Sequence, residues 1–345
     1  MSRDAWNGRF QSVAHRHDAT VDALPDEGRL APFNRATGWL NSEPLTPQAL
    51  SGRVVLVSFW TYTCVNWLRT LPYLRAWHAK YAAAGLTIVG VHTPEFGFEH
   101  DHANVEARVL ALGVEYPVAL DDDYGVWGDF ANNYWPAVYL ADASGRVRYH
   151  HFGEGDYEMT EMAIQQLLMA AGAPELDLGL VQPEAKGLEV AADWSTLRSP
   201  ETYLGYRQSS GFESENADYY DRVVEYVIHR DLPRNRWDLG GEWVQTPDAA
   251  VSRQPGGRVA YAFHARDVNL VMGGRADADP IGLRVLINGQ PPGEACGTDV
   301  DSRGHGVVDR QDTYQLIRTR DAIRDRLFEI EFDQAGVELY CFTFG

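Results

Sequence analysis

The fold is decided by residues 54–72, which read VVLVSFWTYTCVNWLRTLP. The stretch begins with an apolar run rich in Val and Phe, which is typical of a strand buried on both faces, and it passes through a short turn into a helical pattern. Cys64 lies at that turn. A thiol just ahead of a helix N-terminus is close to unpaired backbone N–H groups and to the positive end of the helix dipole, and both favour the thiolate. The sequence therefore predicts that Cys64 is the reactive residue.

Strands and helices continue to alternate from this stretch to about residue 172. Apolar residues at three- and four-residue spacing predict an amphipathic helix that ends at Gly85, followed by a buried strand at 86–93. This order predicts an α/β domain over residues 31–172, with a mixed sheet flanked by helices. The other predicted elements are helices at 104–112 and 159–171, a turn or short helix at 125–130, strands at 116–120, 137–141 and 147–152, and a hairpin turn at 142–145.

The second half of the chain has a different pattern. A proline-containing stretch at 173–205 predicts a linker, and residues 206–345 consist of short alternating segments broken by Gly, Pro and Asp. This pattern predicts an all-β antiparallel sandwich of jelly-roll-like form. Its clearest strands are 258–264, 268–272, 283–288, 313–318, 327–332 and 337–344. Residues 1–30 are polar and aperiodic, which predicts an N-terminal arm.

Composition limits the partners. The 49 acidic residues outnumber the 30 basic ones, for a formal net charge of −19, which argues against nucleic acid or an anionic membrane surface as a partner. The first twenty residues have no signal-peptide core, and no later apolar run is long enough to insert into a membrane. Three cysteines are too few and too scattered for a disulfide framework, so we expect a reducing, cytoplasmic location.

Several runs carry a resemblance to a known family. WTYTC at 60–64 joins a strand to a helix, and YWP at 134–136 precedes a later strand; both resemble thioredoxin-like redoxins. The closer resemblance is to the soluble C-terminal part of DipZ-type thiol-disulfide exchange proteins, whose members commonly continue into a carbohydrate-binding-module-like sandwich. The runs that carry it are GVHTPEFG at 90–97, HFGEGDY at 151–157, SPETYLG at 199–205 and FTFG at 342–345. It covers the chain from about residue 30 to its end.

The resemblance implies a thiol-disulfide site with one departure from the family. Pro136 matches the cis-proline that faces the reactive cysteine and offers a main-chain edge to a peptide or disulfide substrate. The aromatic residues expected around that substrate groove are Trp60, Tyr62, Trp67 and Trp135. Trp67 occupies the position of the second motif cysteine. We therefore expect a monothiol oxidoreductase, in which Cys64 attacks a disulfide to form a mixed disulfide and an external thiol releases it. Its expected partners are a protein disulfide or a low-molecular-weight thiol.

Two other functions stay open at this point. Thr61 lies three residues before Cys64, the spacing at which peroxiredoxins hold a hydroxyl against their reactive thiolate, so a one-cysteine peroxidase acting on a peroxide is an alternative. The motif proline of that family is replaced by Val57, and the supporting arginine is unassigned. The third reading is a non-catalytic scaffold whose sandwich binds a glycan or a protein. The aromatic residues that would stack on sugars are Trp194, Trp237, Trp243, Tyr203, Tyr206, Tyr219 and Tyr220, although core packing accounts for them equally well.

The remaining candidates for chemistry favour ordinary structural roles. His100 and His102 alternate with acidic residues in a loop, which is more typical of a solvated surface than of a metal site, so we expect neither metal nor cofactor. His150 and His151 point to opposite faces of a strand. Asp121–Asp123 favour a helix cap. Cys341 is predicted to be a small core residue; Cys341 or Cys296 is also a conceivable resolving thiol across domains, without support from spacing. The oligomeric state does not follow from the sequence.

Overall fold

A six-stranded mixed sheet forms the centre of the first domain. The computed structural model describes residues 24–173, 175–274 and 279–345, so the predicted arm lies largely outside the described residues. The sheet order is β1-β4-β3-β2-β5-β6, in which β2, β3 and β4 run parallel and the other neighbours pair antiparallel. Its strands are β1 (Gly38–Leu40), β2 (Val54–Trp60), β3 (Leu86–His92), β4 (Val118–Leu120), β5 (Ala137–Ala141) and β6 (Val147–Phe152). The predicted mixed sheet is confirmed.

Helices cover both faces of this sheet. The helices are α1 (Pro47–Leu50), α2 (Val65–Tyr81), α3 (His102–Ala111), α4 (Gly125–Asp129) and α5 (Tyr157–Ala170). Strand β2 is buried along its whole length, because alternate residues enter two separate cores. Val54 and Leu56 pack with α2, α3 and α5, whereas Val55, Val57 and Phe59 pack with α1 and α4. The continuous apolar run at 54–60 is thus explained by a strand in the middle of a two-faced sheet.

The second domain is all β. Its strands are β7 (Thr202–Tyr203), β8 (Val224–Tyr226), β9 (Trp237–Gln245), β10 (Ala250–Ser252), β11 (Gly257–Phe263), β12 (Asp267–Gly273), β13 (Ile281–Ile287), β14 (His305–Val308), β15 (Asp312–Arg318), β16 (Arg326–Phe332) and β17 (Glu338–Phe344). All pairings between these named strands are antiparallel. Strand β9 pairs with β11 through its first half and with β10 through its second, so it joins the two layers. The predicted all-β fold is confirmed.

A β-bulge interrupts β17 and changes which residues face the sandwich core. Opposite β12, Val271 pairs with Cys341 and Met272 pairs with Leu339, which leaves Tyr340 as the extra residue. Leu339 and Phe342 point into the sandwich core, whereas the two residues between them, Tyr340 and Cys341, both join the core of the first domain. Regular strand alternation would place Cys341 on the same face as Leu339, but the bulge shifts the alternation by one residue, so Cys341 is buried in the core of the first domain instead.

The two domains share this interdomain core. Ala249, Val271, Tyr340 and Cys341 of the β domain belong to the same buried cluster as the residues of α2. Strand β7 pairs with β17, so the second sheet begins inside the stretch predicted as a linker. We therefore treat the boundary between the domains as lying before Thr202.

Within the part of the chain that the structure describes, no helix is both long enough and apolar enough to cross a membrane.

Candidate active site

Cys64 lies where β2 ends and α2 begins. It is the N-cap residue of α2, with φ −70° and ψ 107°, and its carbonyl accepts the first helical hydrogen bond from Leu68 N–H at 3.0 Å. The backbone N–H groups of Asn66 and Trp67 are directed at the sulfur. Cys64 keeps partial exposure to solvent, while the residues on either side are buried. The turn therefore presents one thiol at the carboxyl end of the central parallel strand.

Pro136 lies at the same edge of the sheet as Cys64. The Trp135–Pro136 peptide bond is cis, and Phe59 pairs with Ala137, the residue after the proline. Because β2 and β5 are antiparallel, the residue after Phe59 and the residue before Ala137 emerge together at one end of the sheet. The Trp135 indole N–H donates to the Thr93 carbonyl at 3.1 Å. The structure thus brings Pro136 and Trp135 to the edge that carries the thiol.

The three aromatic residues nearest to Cys64 in sequence pack behind it. Trp60, Tyr62 and Trp67 have no exposed surface, so they do not line an open groove. Trp60 stacks on Trp67 with ring centroids 4.1 Å apart, and the ring of His92 packs against both Trp60 and Tyr62. Burial lowers the pKa of His92 to about 3, so this histidine stays neutral. Trp67 fills the space of the missing thiol as part of an aromatic core.

A buried carboxylate ties the Cys64 turn to the loop after β3. Glu99 accepts hydrogen bonds from the Thr63 hydroxyl at 2.7 Å and from the Thr63 N–H at 3.3 Å. Its other oxygen accepts from the N–H groups of Glu95 at 2.7 Å and Phe96 at 2.9 Å. These contacts hold Glu95 beside the thiol. The run at 90–97 marked this loop, but the role of Glu99 was not predicted because its partners come from a different part of the chain.

The electrostatic environment of Cys64 is the opposite of the predicted one. Burial raises the pKa of the Cys64 thiol, and the carboxylate of Glu95 raises it further. The N–H groups of Trp67 and Asn66 act in the other direction, and Glu201 adds to the increase. The net effect is a pKa well above the ordinary value, so the prediction of a stabilised thiolate is wrong. The helix N-terminus is present as expected, but burial and two carboxylates outweigh it.

Tyr203 links the two carboxylates near the thiol. Its hydroxyl hydrogen-bonds Glu95 and lies 3.4 Å from Glu201. Burial raises the pKa of Glu95 to about 8, and the charge of Glu201 contributes in the same direction. Tyr203 lies in β7, so the network joins the β domain to the loop of the first domain. The glycan-stacking role considered for Tyr203 does not fit this position.

The β domain also packs directly on both sides of Cys64. The Thr313 hydroxyl donates to the carbonyl of Thr63 at 2.7 Å. Arg69, one turn into α2, donates to the Phe344 carbonyl at 3.2 Å and forms a 3.3 Å ion pair with Glu154. The contacts of Thr63 with Thr313 and of Arg69 with Phe344 join residues that are 250 and 275 positions apart in sequence, so no local pattern predicts them. The thiol lies at an interface between domains.

Thr61 is placed differently from a peroxidase hydroxyl. It is fully buried, and within the described residues its hydroxyl makes no hydrogen bond to Cys64 but lies near the Glu99 carboxyl. The largest charged influences on Cys64 are carboxylates rather than an arginine. The arrangement lacks the support that a peroxide-reactive thiolate needs.

The histidines and acidic residues outside the site have structural partners. His102 pairs with Asp122 at 2.7 Å, and His150 pairs with Glu27 at 2.7 Å. Asp121 accepts from the N–H groups of Val126 at 2.7 Å and Trp127 at 2.8 Å, which confirms its predicted role as a helix cap. Among the described residues, no three His, Cys, Asp or Glu side chains gather in a group able to hold a metal ion.

The aromatic residues proposed for sugar stacking do not form one platform. Trp237 and Trp243 are fully buried in the sandwich core, so they cannot stack on a ligand. Trp194, Tyr219 and Tyr220 are exposed. Core packing therefore accounts for two of the three tryptophans.

Comparison with known proteins matches both domains. Residues 32–150 match the AhpC/TSA family, and residues 199–345 match the family described as thioredoxin like C-terminal domain. Protein DipZ of Mycobacterium bovis is 37% identical over 74% of this chain, and the chain spans only 36% of the length of that relative. Thiol-disulfide oxidoreductase YkuV of Bacillus subtilis is 26% identical over 40% of this chain and 94% of its own length.

A solved structure matches part of the chain. It is the solution structure of a thioredoxin-like protein in the oxidized form, with 26% sequence identity and a TM-score of 0.39, over 41% of this chain and 97% of that chain. The chain therefore resembles DipZ over most of its length, with an AhpC/TSA-type domain followed by a domain that matches the thioredoxin like C-terminal domain family.

Proposed function

We propose that the protein catalyses thiol-disulfide exchange with Cys64 as its nucleophile. The observation that carries this proposal is the position of the thiol, which lies on the N-cap residue of α2, near the N–H groups of Asn66 and Trp67, and at the sheet edge that also carries Pro136. Cys64 is partly exposed, whereas its neighbours Thr63 and Val65 are buried. Pro136 and Trp135 are the proposed walls of the substrate groove.

The proposed reaction starts from the ionised thiol. The Cys64 thiolate attacks one sulfur of a substrate disulfide R–S–S–R′, the bond between the two substrate sulfurs breaks, and R′S⁻ leaves with the electron pair. Cys64 then carries R as a mixed disulfide. Trp67 occupies the position from which a second motif thiol would attack, so the thiol that releases R comes from outside this motif.

The surroundings of Cys64 favour the reducing direction. A cysteine with a low pKa makes its disulfide strongly oxidising, because the reduced thiolate is stabilised. Cys64 has the opposite shift, since burial and Glu95 raise its pKa. Its disulfide therefore has no added oxidising power. We propose that substrates are protein or small-molecule disulfides that leave as thiols.

The peroxidase alternative has less support. The raised pKa of Cys64 slows attack on a peroxide and on a disulfide alike, because the thiolate is the nucleophile in both, so the pKa does not separate these two functions. Thr61 makes no hydrogen bond to the sulfur among the described contacts. A non-catalytic scaffold would not need the N–H groups of Asn66 and Trp67 to stabilise a thiolate at Cys64.

The test is to trap the first intermediate. In a chain carrying Cys296→Ser and Cys341→Ser, Cys64 is the remaining thiol. Incubation with a peptide disulfide followed by intact-mass analysis should show one adduct on Cys64, forming faster as the pH rises toward 10 because the thiol ionises. The same chain with Cys64→Ser is the control.

Two results would reject the proposal. The first is no adduct on the folded chain although denaturant makes Cys64 fully reactive, which favours the scaffold. The second is rapid sulfenic acid formation with mild peroxide in the absence of any disulfide adduct, which favours the peroxidase.

A further inference from the structure

The missing second thiol directs attention to the other cysteines. Cys296 lies in the β domain, at a bridge to Ile317, and its contacts are with the sandwich core. Cys341 lies in the core shared by the two domains. Of the two, only Cys341 is placed on the side of the β domain that packs against the first domain.

The bulge in β17 is the reason for that placement. A regular strand would turn Cys341 to the same side as Leu339, which packs in the sandwich core. The extra residue Tyr340 shifts the alternation, so Tyr340 and Cys341 both face the first domain. Tyr340 packs on the rings of Phe96 at 5.2 Å and Phe98 at 4.9 Å, in the same loop that holds Glu95 beside Cys64.

Cys64 and Cys341 share one environment. Both pack against the same interdomain cluster. Each thiol is acted on by the same two carboxylates, Glu95 and Glu201, and a charge on Cys64 raises the pKa of Cys341. Tyr203 pairs with Cys341 across β7 and β17 and hydrogen-bonds Glu95. Through Tyr203, strand β17, which carries Cys341, is thus connected to the loop at Glu95, which lies beside Cys64.

We propose that Cys341 is the resolving thiol for Cys64, so that the two domains together supply the pair of cysteines that the redoxin motif lacks. This inference rests on the proposed function, because it needs a mixed disulfide on Cys64. It replaces the external thiol in the second step by a residue of the same chain.

The step balances without an added oxidant. The Cys341 sulfur attacks the Cys64 sulfur of the mixed disulfide, the Cys64–S–S–R bond breaks, and R leaves as a thiolate that takes up the proton lost by Cys341. A Cys64–Cys341 disulfide forms. Over both steps the substrate disulfide gains two electrons and becomes two thiols. A dithiol reductant then restores both cysteines by two further exchanges.

The burial of Cys341 fits this role. It is 2% exposed, so an outside disulfide cannot reach it before it reaches Cys64. Its thiol donates to the carbonyl of Phe342 at 3.4 Å. The order of attack is thereby fixed, with Cys64 first and Cys341 second.

The test uses the full chain and an aromatic disulfide, 5,5′-dithiobis(2-nitrobenzoate), whose released thiolate is coloured. The starting variant carries Cys296→Ser, which removes the thiol that lies outside the interface. We expect two equivalents of coloured thiolate per chain, no retained adduct, and a Cys64–Cys341 disulfide identified by peptide mass mapping.

Three matched variants separate the roles of the two cysteines. Adding Cys341→Ser should give one equivalent and a stable adduct on Cys64, and Cys341→Ala should do the same, which separates loss of the thiol from any effect of the serine hydroxyl. Adding Cys64→Ser instead should leave Cys341 unmodified in the folded chain.

The two proposals fail in different ways. If the Cys296→Ser chain retains a stable adduct on Cys64 while Cys341 remains a free thiol, Cys341 is not the resolving residue and the proposed function stands. If no coloured thiolate is released and Cys64 stays unmodified, the proposed function itself is wrong. In the Cys64→Ser chain, Cys341 is the remaining thiol. If Cys341 forms a disulfide with a second molecule as readily in that chain, the assignment is also overturned.

Discussion

The interface around Cys64 and the outer part of the β domain around Cys296 are built differently. At the interface, ionisable groups are packed together and influence one another, as Glu95, Glu201 and Tyr203 do beside the thiol. Around Cys296 the neighbouring loop is partly exposed, and Thr298 and Glu294 face solvent. Cys64 and Cys296 are both partly exposed, so exposure alone does not distinguish them. What differs is their position relative to the domain boundary, and we expect that position to decide which thiol takes part in thiol-disulfide exchange.

The largest expected effect separates the two cysteines directly. Cys64→Ser should reduce the turnover of a peptide disulfide, with dithiothreitol as electron donor, to the uncatalysed rate, because the nucleophile is gone. Cys296→Ser should leave turnover within about twofold of the unchanged protein. Equal loss of turnover in the Cys64→Ser and Cys296→Ser variants would contradict the distinction between the two cysteines. The rate of substrate thiol release measures both.

The second effect concerns ion pairs. Arg69 and Glu154 are 2% and 5% exposed, so Arg69→Met leaves a buried carboxylate without its partner and should lower the free energy of unfolding by about 3 kcal/mol. Arg35 pairs with Asp129 at the surface, with side chains 54% and 30% exposed, and Arg35→Met should cost less than about 1 kcal/mol.

Urea unfolding followed by fluorescence measures this difference. Adding Glu154→Gln to Arg69→Met should recover part of the loss, because no buried charge is then left unpaired. Similar costs for Arg69→Met and Arg35→Met would show that the interface is no more tightly packed than the surface.

The third effect is a pH dependence. The pKa of Glu95 is about 8 in the folded chain and near its ordinary value when unfolded, so the folded state holds the proton more tightly. The folded protein should therefore lose stability as the pH rises from about 4.5 to about 8. Glu95→Gln should flatten this dependence, while Glu106→Gln, at an exposed position of α3, should not.

Unfolding midpoints in urea at a series of pH values provide the measurement. A Glu95→Gln chain whose stability still declines over that pH interval by the same amount would show that Glu95 is ionised and well accommodated in the folded protein.

The smallest effect concerns one hydrogen bond between the domains. Thr313→Val keeps the shape of the side chain but removes the donor to the Thr63 carbonyl, which should lower the free energy of unfolding by about 1 kcal/mol. Thr298→Val, in the exposed loop next to Cys296, should change it by less than about 0.5 kcal/mol. Equal values in urea unfolding would contradict the distinction between the two regions.

The parts of the fold that depend on local sequence were predictable. The buried run at 54–60, the helix after Cys64 and the six clearest strands of the β domain all follow from apolar periodicity. The strands of the β domain that were not predicted are β7, β8, β9, β10 and β14. Strands β7, β8, β10 and β14 are short, and β9 contains two adjacent glycines that weaken its pattern.

The site was predictable only in part. The position of Cys64 at a helix start follows from sequence, and Pro136 follows from the family resemblance. The raised pKa of Cys64 could not be predicted, because it depends on Glu95 and Glu201 brought together by tertiary packing. The place of Cys341 could not be predicted either, since a bulge leaves no signal in an alternating apolar run.

The placement of Cys341 in β17 also sets an order of assembly during synthesis. Residues 54–81, which form the Cys64 turn and its helix, leave the ribosome long before residues 338–344 do. Until those last residues are made, Tyr340 cannot cover the loop at Phe96, and Arg69 lacks the Phe344 carbonyl. The nascent chain therefore carries Cys64 before Cys341 has been made and before Tyr340 and Phe344 can pack on the first domain. Strand β17 supplies all three residues.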